Sequence, residues 1–198
     1  MLEFLLQLDK ELFLFLNGLH ADWLDPVMYY ISDKYVWIPF YALLLYFCWK
    51  YYGKRVFLVM VMAALLITLS DQISVFMKFY FERFRPSQEP DLEGMVHSVF
   101  GKKGGKFGFV SSHAANSFAL ATFIILILKG KVPYITAVML TFAVLKSYSR
   151  IYLGVHYPGD IIGGALLGIA IGWVVFFLWQ LIHKKFFPNH YIKKTSWI

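Results

Sequence analysis

Three short groups of polar residues interrupt a chain that is otherwise strongly apolar, and each holds side chains suited to phosphate chemistry. The groups are KFYFERFRP from Lys78, VSSH from Val110 and SRIYLGVHYPGD from Ser149. Fixed cations stabilise phosphate oxygens, and an imidazole can act as a nucleophile or as a proton donor. If the three groups meet in space, they form a cationic pocket with two histidines, which suits the cleavage of a phosphate ester.

The third group contains Arg150, His156 and Asp160 at the junction of two apolar segments. Pro158 suits the first turn of a new helix, which would place Asp160 in that turn. A carboxylate beside an imidazole fixes the ring tautomer and stabilises the cationic ring that forms when the other nitrogen attacks. A helix-capping aspartate and a histidine at the membrane interface would explain the same residues, so this group alone leaves both interpretations open.

The second group, Ser111, Ser112 and His113, is predicted to begin the helix that continues as AANSFALATF. The free N–H groups at a helix N-terminus bind phosphate, although either serine would also serve as an ordinary N-cap. A cap needs no imidazole beside it. A histidine with a reference pKa of about 6.5 can donate a proton to a leaving alkoxide, and this is the chemistry that His113 indicates.

The first group places Lys78, Arg83 and Arg85 within eight residues, directly before Pro86. Any one of these cations is explained by a long side chain that reaches water from the membrane boundary. All three together exceed what anchoring needs, and phosphoryl transfer develops negative charge that fixed cations stabilise. A charged group at mid-bilayer costs at least about 2.5–3.5 kcal/mol, so one that is retained usually has a partner.

The composition indicates a membrane protein. Of 198 residues, 59% are hydrophobic and only 16% are charged, whereas a soluble domain carries about 25% charged residues. The net charge of +7 comes from lysines clustered in short gaps between apolar runs. This distribution differs from the continuous basic face of a nucleic-acid-binding module, so no nucleic-acid partner is expected. The single cysteine, Cys48, excludes an intrachain disulfide and a cysteine metal site.

The apolar segments predict an all-α fold, a polytopic bundle of transmembrane helices. A bilayer core of about 30 Å requires about 20 residues of helix. The five predicted crossings are residues 36–52, 56 to about 81, 110–128, 132 to about 152, and 161–182. Residues 2–18 and 22–32 have apolar positions at helical spacing, but Asp9, Lys10 and Glu11 interrupt the first segment, which favours helices lying in the interface. A sixth crossing by residues 2–18 is the alternative.

No repeat or linker divides the chain, so we expect one membrane domain over residues 1–198. It would comprise interfacial helices in 1–35, a bundle in 36–183 with an active-site loop at 84–109, and a tail at 184–198. Basic residues in alternate loops and in the tail mark the cytoplasmic face of the plasma (inner) membrane. These residues are Lys50, Lys54, Arg55, Lys129, Lys131, Lys184, Lys185, Lys193 and Lys194. The C-terminus is therefore predicted to be cytoplasmic, and the three polar groups face the periplasm or cell exterior.

A stripe of small residues in the last segment predicts close helix packing. Gly164, Gly168 and Gly172 recur every four residues, which lets another helix approach closely. Asp160 continues this stripe by one turn. We therefore expect the helix that carries Asp160 to be held firmly against the bundle.

Taken together, the three groups resemble the motifs of the type-2 phosphatidic acid phosphatase superfamily, which also includes vanadium haloperoxidases. The resemblance is to its bacterial membrane branch, since the haloperoxidases are soluble and this chain is strongly apolar. The family pattern is K-x6-RP, PSGH and SR-x5-H-x3-D, in that order. The matching residues are Lys78, Arg85, Pro86, Ser111, His113, Ser149, Arg150, His156 and Asp160. Val110 and Ser112 replace the Pro and Gly of the second motif, and we expect a modest change of loop geometry there.

The resemblance implies a membrane-embedded lipid phosphatase that forms a phosphohistidine and needs no metal or cofactor. By that similarity His156 is the nucleophile, Asp160 orients it and His113 is the general acid for the leaving group. The phosphate-binding residues that it implies are Lys78, Arg85, Arg150, Ser111 and Ser112. The expected partners are membrane lipids and a lipid phosphate substrate, and the oligomeric state is left open.

The implied substrate is a phosphate or pyrophosphate monoester of a lipid. Undecaprenyl pyrophosphate is favoured, with phosphatidylglycerophosphate, phosphatidic acid and lipid A phosphate as alternatives. Transfer of the phosphate to a second lipid would make the protein a phosphotransferase. A transporter with a polar gate is a different class, but the chain lacks inverted repeats. A metal site formed by His113, His156 and Asp160 is disfavoured because the surrounding cations would repel a divalent ion.

Overall fold

The computed structural model describes residues 1–186, which form an all-helical protein, as the sequence predicts. Its seven α-helices are α1 (Leu2–Gly18), α2 (Leu24–Ser32), α3 (Ile38–Tyr52), α4 (Val56–Phe81), α5 (Ser112–Leu128), α6 (Ile135–Tyr152) and α7 (Pro158–Phe186). Within these residues no strand forms, and Phe84 and Phe107 make an isolated antiparallel bridge. Lys193 and Lys194 of the predicted tail lie outside the described residues, whereas Lys184 and Lys185 belong to the last turn of α7.

Two stretches of the described chain are long and apolar enough to cross a membrane. They are Ile38–Phe81, with a mean hydropathy of 2.1, and Pro158–Phe186, with a mean hydropathy of 2.5. The first stretch contains both α3 and α4, separated by a 3₁₀ turn at Gly53–Arg55. Ser112–Leu128 is apolar but shorter. A helix occupies each predicted segment, but the number of crossings stays a prediction.

Helix α5 lies at the centre of the bundle and packs against α4, α6 and α7. Its most extensive contact is with α7, along the glycine stripe. A Cβ atom added to Gly164 would lie 2.6 Å from the Ser111 carbonyl oxygen, and one added to Gly172 would lie 2.8 Å from that of Ala119. Only glycine permits this approach, so the predicted close packing is confirmed, and α7 is held directly against α5.

The first two helices cover the end of the bundle where α6 gives way to α7. The Asn17 amide of α1 donates hydrogen bonds to the Ile151 and Tyr152 carbonyl oxygens at 3.1 and 2.8 Å. Asp25 of α2 accepts hydrogen bonds from the Tyr152 hydroxyl at 2.7 Å and from His97 Nε2 at 2.9 Å. Burial acts to raise the pKa of the Asp25 carboxyl, but these two hydrogen bonds lower it, and the net shift is downward. The N-terminal helices thus tie α6 to the loop that follows α4.

That loop, residues 82–111, folds back over the same end of the bundle. Glu82 ends α4 in the left-handed conformation, with φ of 46°. The loop is closed by backbone hydrogen bonds from Arg85 N–H to the Lys106 carbonyl at 3.1 Å and from Gly108 N–H to the Arg83 carbonyl at 2.8 Å. These bonds place the first polar group beside the starts of α5 and α7.

Candidate active site

His156 and Asp160 form a buried pair at the start of α7. His156 is 1% exposed and Asp160 is 0% exposed. His156 Nδ1 lies 3.2 Å from Asp160 Oδ2, and the Tyr157 backbone N–H donates to the same oxygen at 3.1 Å. Because α7 begins at Pro158, Asp160 lies in its first turn, as predicted. The four-residue spacing lets the carboxylate reach back to the ring.

Arg85 faces the other nitrogen of the His156 ring. Its Nη1 atom lies 3.2 Å from His156 Nε2, and its Nε atom donates to the Phe107 carbonyl at 3.0 Å. A guanidinium can only donate, so Nε2 is the acceptor and the ring proton is assigned to Nδ1, facing Asp160. The Nε2 lone pair therefore faces the cation suited to bind a phosphate oxygen, which is the geometry that a nucleophilic imidazole needs.

Glycines allow the loop to close over this pair. A Cβ atom at Gly108 would lie 2.9 Å from Asp160 Oδ2, and one at Gly104 would lie 2.8 Å from Arg85 Nη1. Gly104 also has a φ of 70°, which disfavours other residues. The loop backbone thus approaches both site residues more closely than a side chain would allow.

The surroundings of His156 favour its neutral form. Burial lowers the pKa of the ring well below its ordinary value, and the positive charges of Arg85, Arg150 and Lys78 lower it further; a hydrogen bond with the Gly108 backbone opposes them. A neutral ring keeps the Nε2 lone pair available for attack on phosphorus. Burial also lowers the pKa of Arg85, while the charge of Asp160 opposes that shift.

A second cation holds the other oxygen of Asp160. Arg83 Nη1 donates to Asp160 Oδ1 at 3.0 Å, and Arg83 Nη2 donates to Asp9 Oδ2 of α1 at 2.7 Å. The second Asp9 oxygen accepts the Gly159 backbone N–H at 2.7 Å. The guanidinium also lies 4.1 Å from the centre of the Tyr157 ring. The sequence analysis counted Arg83 among three cations suited to phosphate chemistry, whereas the structure places it between two carboxylates. Asp9 was noted only as a charge that interrupts an apolar helix, and such a charge usually has a partner.

The two serines of the second group have different contacts. Ser111 is the N-cap of α5, where its hydroxyl accepts the Ala114 N–H at 3.5 Å, and its own N–H donates to the Asp160 carbonyl at 3.0 Å. Ser112 Oγ accepts a hydrogen bond from Lys78 Nζ at 2.5 Å and lies 2.6 Å from Ser74 Oγ. A hydroxyl at the family's glycine position therefore holds Lys78, an effect beyond the expected change of loop geometry.

His113 and Arg150 lie near the His156–Asp160 pair, and in the described structure neither forms a hydrogen bond with it. His113 is partly buried and lines a cavity of about 600 Å³ together with Ser112. The charges of Arg150 and His156 act on the His113 ring. Arg150 is 5% exposed and donates from Nη1 to the Ser32 hydroxyl, and within residues 1–186 its Nε has no hydrogen-bond partner.

The described part of the chain thus brings all eight predicted site residues to one end of the bundle. His156, Asp160 and Arg85 are joined by hydrogen bonds, as are Lys78 and Ser112. The Ser111 hydroxyl is used as a helix cap. Among residues 1–186, no group of three or more His, Cys, Asp or Glu side chains is arranged to hold a metal ion.

Comparison with known proteins identifies the same region. A model of the PAP2 superfamily matches residues 56–184. A lipid A 4'-phosphatase of Bacteroides thetaiotaomicron is 41% identical over 181 residues, which cover 90% of this chain and 80% of that protein. A lipid A 4'-phosphatase of Porphyromonas gingivalis is 38% identical, covering 88% and 74%. An undecaprenyl-diphosphatase of Sulfolobus acidocaldarius is 28% identical, covering 87% and 78%.

A solved structure has the same arrangement of helices. The crystal structure of LpxE from Aquifex aeolicus superposes with a TM-score of 0.66 at 30% sequence identity. The match covers 85% of this chain and 94% of that one. The likeness therefore extends over most of both chains.

Proposed function

The chain belongs to the PAP2 superfamily and is a lipid phosphatase, and on that premise we propose that it hydrolyses a phosphate monoester of a lipid A-type glycolipid. Support for the substrate comes from the relatives named for lipid A 4'-phosphate, which are 41% and 38% identical over 90% and 88% of this chain. The observation that carries the chemistry is the His156 ring, whose Nε2 faces Arg85 while Nδ1 is held by Asp160.

In the first step His156 Nε2 attacks phosphorus. A nitrogen–phosphorus bond forms, the bond from phosphorus to the lipid oxygen breaks, and that oxygen takes a proton from His113. Lys78, Arg85 and Arg150 bind the phosphate oxygens, whose charge is greatest in the transition state. Asp160 stabilises the cationic ring that the new bond creates.

In the second step water attacks the phosphohistidine. His113, now neutral, takes a proton from that water, the nitrogen–phosphorus bond breaks, and inorganic phosphate leaves. His156 returns to its neutral form and His113 is protonated again. If a lipid hydroxyl replaced the water, the same cycle would give the phosphotransferase that the sequence leaves open.

The protein crosses the membrane five times, with the site at the outer face. This proposal is supported by the basic residues at the helix ends far from the site. Lys54 and Arg55 lie in the turn before α4, and Lys129 follows α5. The Lys131 ammonium donates to the Tyr52 hydroxyl at 2.7 Å, so the turns after α3 and after α5 meet at the same end of the bundle. The positive-inside tendency makes that end cytoplasmic.

Undecaprenyl pyrophosphate, favoured by the sequence interpretation, is the second candidate substrate. Its support is the undecaprenyl-diphosphatase relative, at 28% identity over 87% of this chain. Phosphatidylglycerophosphate and phosphatidic acid complete the set to be compared. The larger identity to the lipid A enzymes supports the choice of lipid A phosphate ahead of these three.

The test is phosphate release by the purified protein from each of these four lipids in one detergent. We expect the highest kcat/KM for lipid A phosphate, with loss of the 4'-phosphate seen by mass spectrometry. The variant His156→Gln controls for contaminating phosphatase and should release no phosphate. A kcat/KM that is higher for undecaprenyl pyrophosphate would replace the proposed substrate, while equal release by His156→Gln would contradict the chemistry itself.

A further inference from the structure

Lys146 is a buried cation that belongs to none of the three motifs. It lies on α6 one turn before Arg150 and is 7% exposed. Its side chain lines the same cavity of about 600 Å³ as His113 and Ser112. A lysine that anchors a helix at the membrane surface would extend into water, which this one does not.

The described protein gives this ammonium group no closely bound anion. Lys146 Nζ donates to the Tyr41 hydroxyl at 3.3 Å. The rings of Trp37, Tyr41 and Phe142 surround it, with their centres 5.7–5.9 Å away. Among residues 1–186 no carboxylate lies within 4.0 Å of it, and Asp33 acts on it only at longer range. A buried charge in a membrane helix is costly unless an anion compensates it.

The position of His113 shows which part of a substrate would meet Lys146. If His113 protonates the leaving oxygen, the leaving lipid lies on its side of the phosphate. The cavity extends from there between α3, α4 and α5, and its far walls are apolar, formed by residues such as Leu44, Val59 and Ile124. A lipid placed on that side would fill this cavity, and its headgroup atoms beyond the scissile bond would lie against Lys146.

Two further charged residues line the cavity, one cation and one carboxylate. Lys34 lines the cavity and is exposed, so it adds a second cation beside an opening to solvent. Asp71 also lines it, and its charge acts on Lys78 of the catalytic site. The cavity thus has two lysines and one carboxylate, and the carboxylate is coupled to the catalytic lysine.

We propose that Lys146 forms a second anion-binding subsite, which takes a second phosphate of the substrate on the leaving-group side. This inference rests on the proposed lipid phosphatase chemistry. The second phosphate is either the one directly attached in a lipid pyrophosphate or the one across the sugars of a bisphosphorylated glycolipid. Both present an anionic oxygen to the lysine, and both distinguish the substrate from a lipid with a single phosphate.

The experiment compares lipid A bearing two phosphates with lipid A bearing only the 4'-phosphate, and undecaprenyl pyrophosphate with undecaprenyl phosphate. For wild-type protein the KM should be about tenfold lower for the doubly phosphorylated member of the pair that it recognises, because the ammonium group binds an additional anionic oxygen; this factor corresponds to about 1.4 kcal/mol. In Lys146→Met that preference should fall to about twofold or less, with kcat for the singly phosphorylated lipid unchanged. The pair of lipids whose KM values differ in the wild type, and become similar in Lys146→Met, identifies the source of the second phosphate.

Lys129→Met is the matched control, since Lys129 is exposed in the turn after α5 and lies outside the cavity. It should keep the wild-type preference. A wild-type protein with the same KM for both members of both pairs would overturn the subsite, and so would equal losses on both members in Lys146→Met. Both outcomes are measurable whether or not lipid A proves to be the preferred substrate. If Lys146→Met does not fold, Lys146→Gln, which keeps a polar side chain without the charge, is measured in its place and judged by the same two outcomes.

Discussion

Arg83 donates a hydrogen bond at 3.0 Å to Oδ1 of Asp160, the carboxylate oxygen that His156 does not contact. The other end of the guanidinium is held at 2.7 Å by Asp9 from the first helix. Asp160 is therefore fixed from two sides, and the orientation of the His156 ring, the proposed nucleophile, depends on these contacts. We expect Arg83 and Asp9 to act as positioning residues for the proposed catalytic pair.

Asp9→Asn tests this arrangement with little other change. The amide oxygen can still accept the Gly159 N–H, but the charge that holds Arg83 is lost. We expect kcat to fall about tenfold with KM within about twofold, since a charged hydrogen bond contributes about 1.5–3 kcal/mol. Arg83→Gln should have a similar effect, and the double variant should lose little more than either single one.

Glu11→Gln is the control for the Asp9 variant, because Glu11 is an exposed carboxylate on the same helix. It should leave kcat and KM unchanged. Steady-state kinetics on a single lipid phosphate suffices for the wild type and the four variants. An Asp9→Asn enzyme with normal kcat and raised KM would show that the pair binds substrate and does not position the nucleophile.

The roles of the two histidines can be distinguished by comparing substrates with different leaving groups. His156→Gln removes the nucleophile and should abolish phosphate release from every substrate. His113→Gln removes only the proton donor, so lipid hydrolysis should fall about 10²–10⁴-fold, the usual contribution of general acid catalysis. An aryl phosphate whose phenolate leaves readily without a proton should be affected much less.

The measurement is initial phosphate release from lipid A phosphate and from p-nitrophenyl phosphate with each variant. Circular dichroism and gel filtration check that both variants keep the wild-type fold. Equal losses on the two substrates in His113→Gln would remove its assignment as the general acid. Activity of His156→Gln on either substrate would remove the phosphohistidine.

Ser112 should contribute to phosphate binding through Lys78. Its hydroxyl accepts a hydrogen bond from the ammonium group at 2.5 Å, and Ser74 Oγ lies 2.6 Å from it. Ser112→Ala should raise KM about three- to tenfold, since the lysine loses a hydrogen bond that fixes its position. Ser87→Ala, which removes a loop hydroxyl bonded to the Lys103 carbonyl, is the control. A KM for Ser112→Ala equal to that of the control would show that Lys78 is held by other contacts.

Much of the architecture is predictable because helix formation in this chain follows local hydropathy. The run from Val56 to Phe81 forms one helix with the predicted ends, and Pro158 begins α7. The glycine stripe predicted a close helix contact, which α5 provides. Elsewhere the ends differ because of turns: α6 begins at Ile135 and not at 132, after the bend at Lys129–Tyr134.

The supporting contacts of the site could not be predicted, because they join residues that are distant in the sequence. Asp9 and Arg83 are 74 positions apart, and no local pattern links them. The bond between Ser112 and Lys78 depends on how α4 crosses α5, which hydropathy does not specify. Motif spacing identifies residues that bind a phosphate, whereas the residues that hold them in place follow from tertiary packing.

The low pKa of His156 makes a prediction about pH. Burial and the charges of Arg85, Arg150 and Lys78 keep the ring neutral below the ordinary histidine pKa of about 6.5. Its protonation should therefore not limit kcat/KM until the pH falls well below that value. In Arg85→Gln one cation beside the ring is lost, the pKa of His156 rises, and the acid limb of kcat/KM should move to higher pH even though overall activity is lower.

The same pKa shift affects stability. A histidine whose pKa is lowered in the folded protein binds fewer protons than the unfolded chain just below about pH 6.5, so the contribution of His156 to the free energy of unfolding should decrease as the pH falls through that range. Burial raises the pKa of the Asp160 carboxyl to about 6, and this group contributes with the opposite sign below that pH. Thermal unfolding and kcat/KM measured across pH 4–8 for wild type, Arg85→Gln and the exposed control Lys129→Gln test both statements. An acid limb at the same pH in wild type and Arg85→Gln would show that Arg85 does not act on the His156 ring, and that Nε2 does not face this cation during turnover.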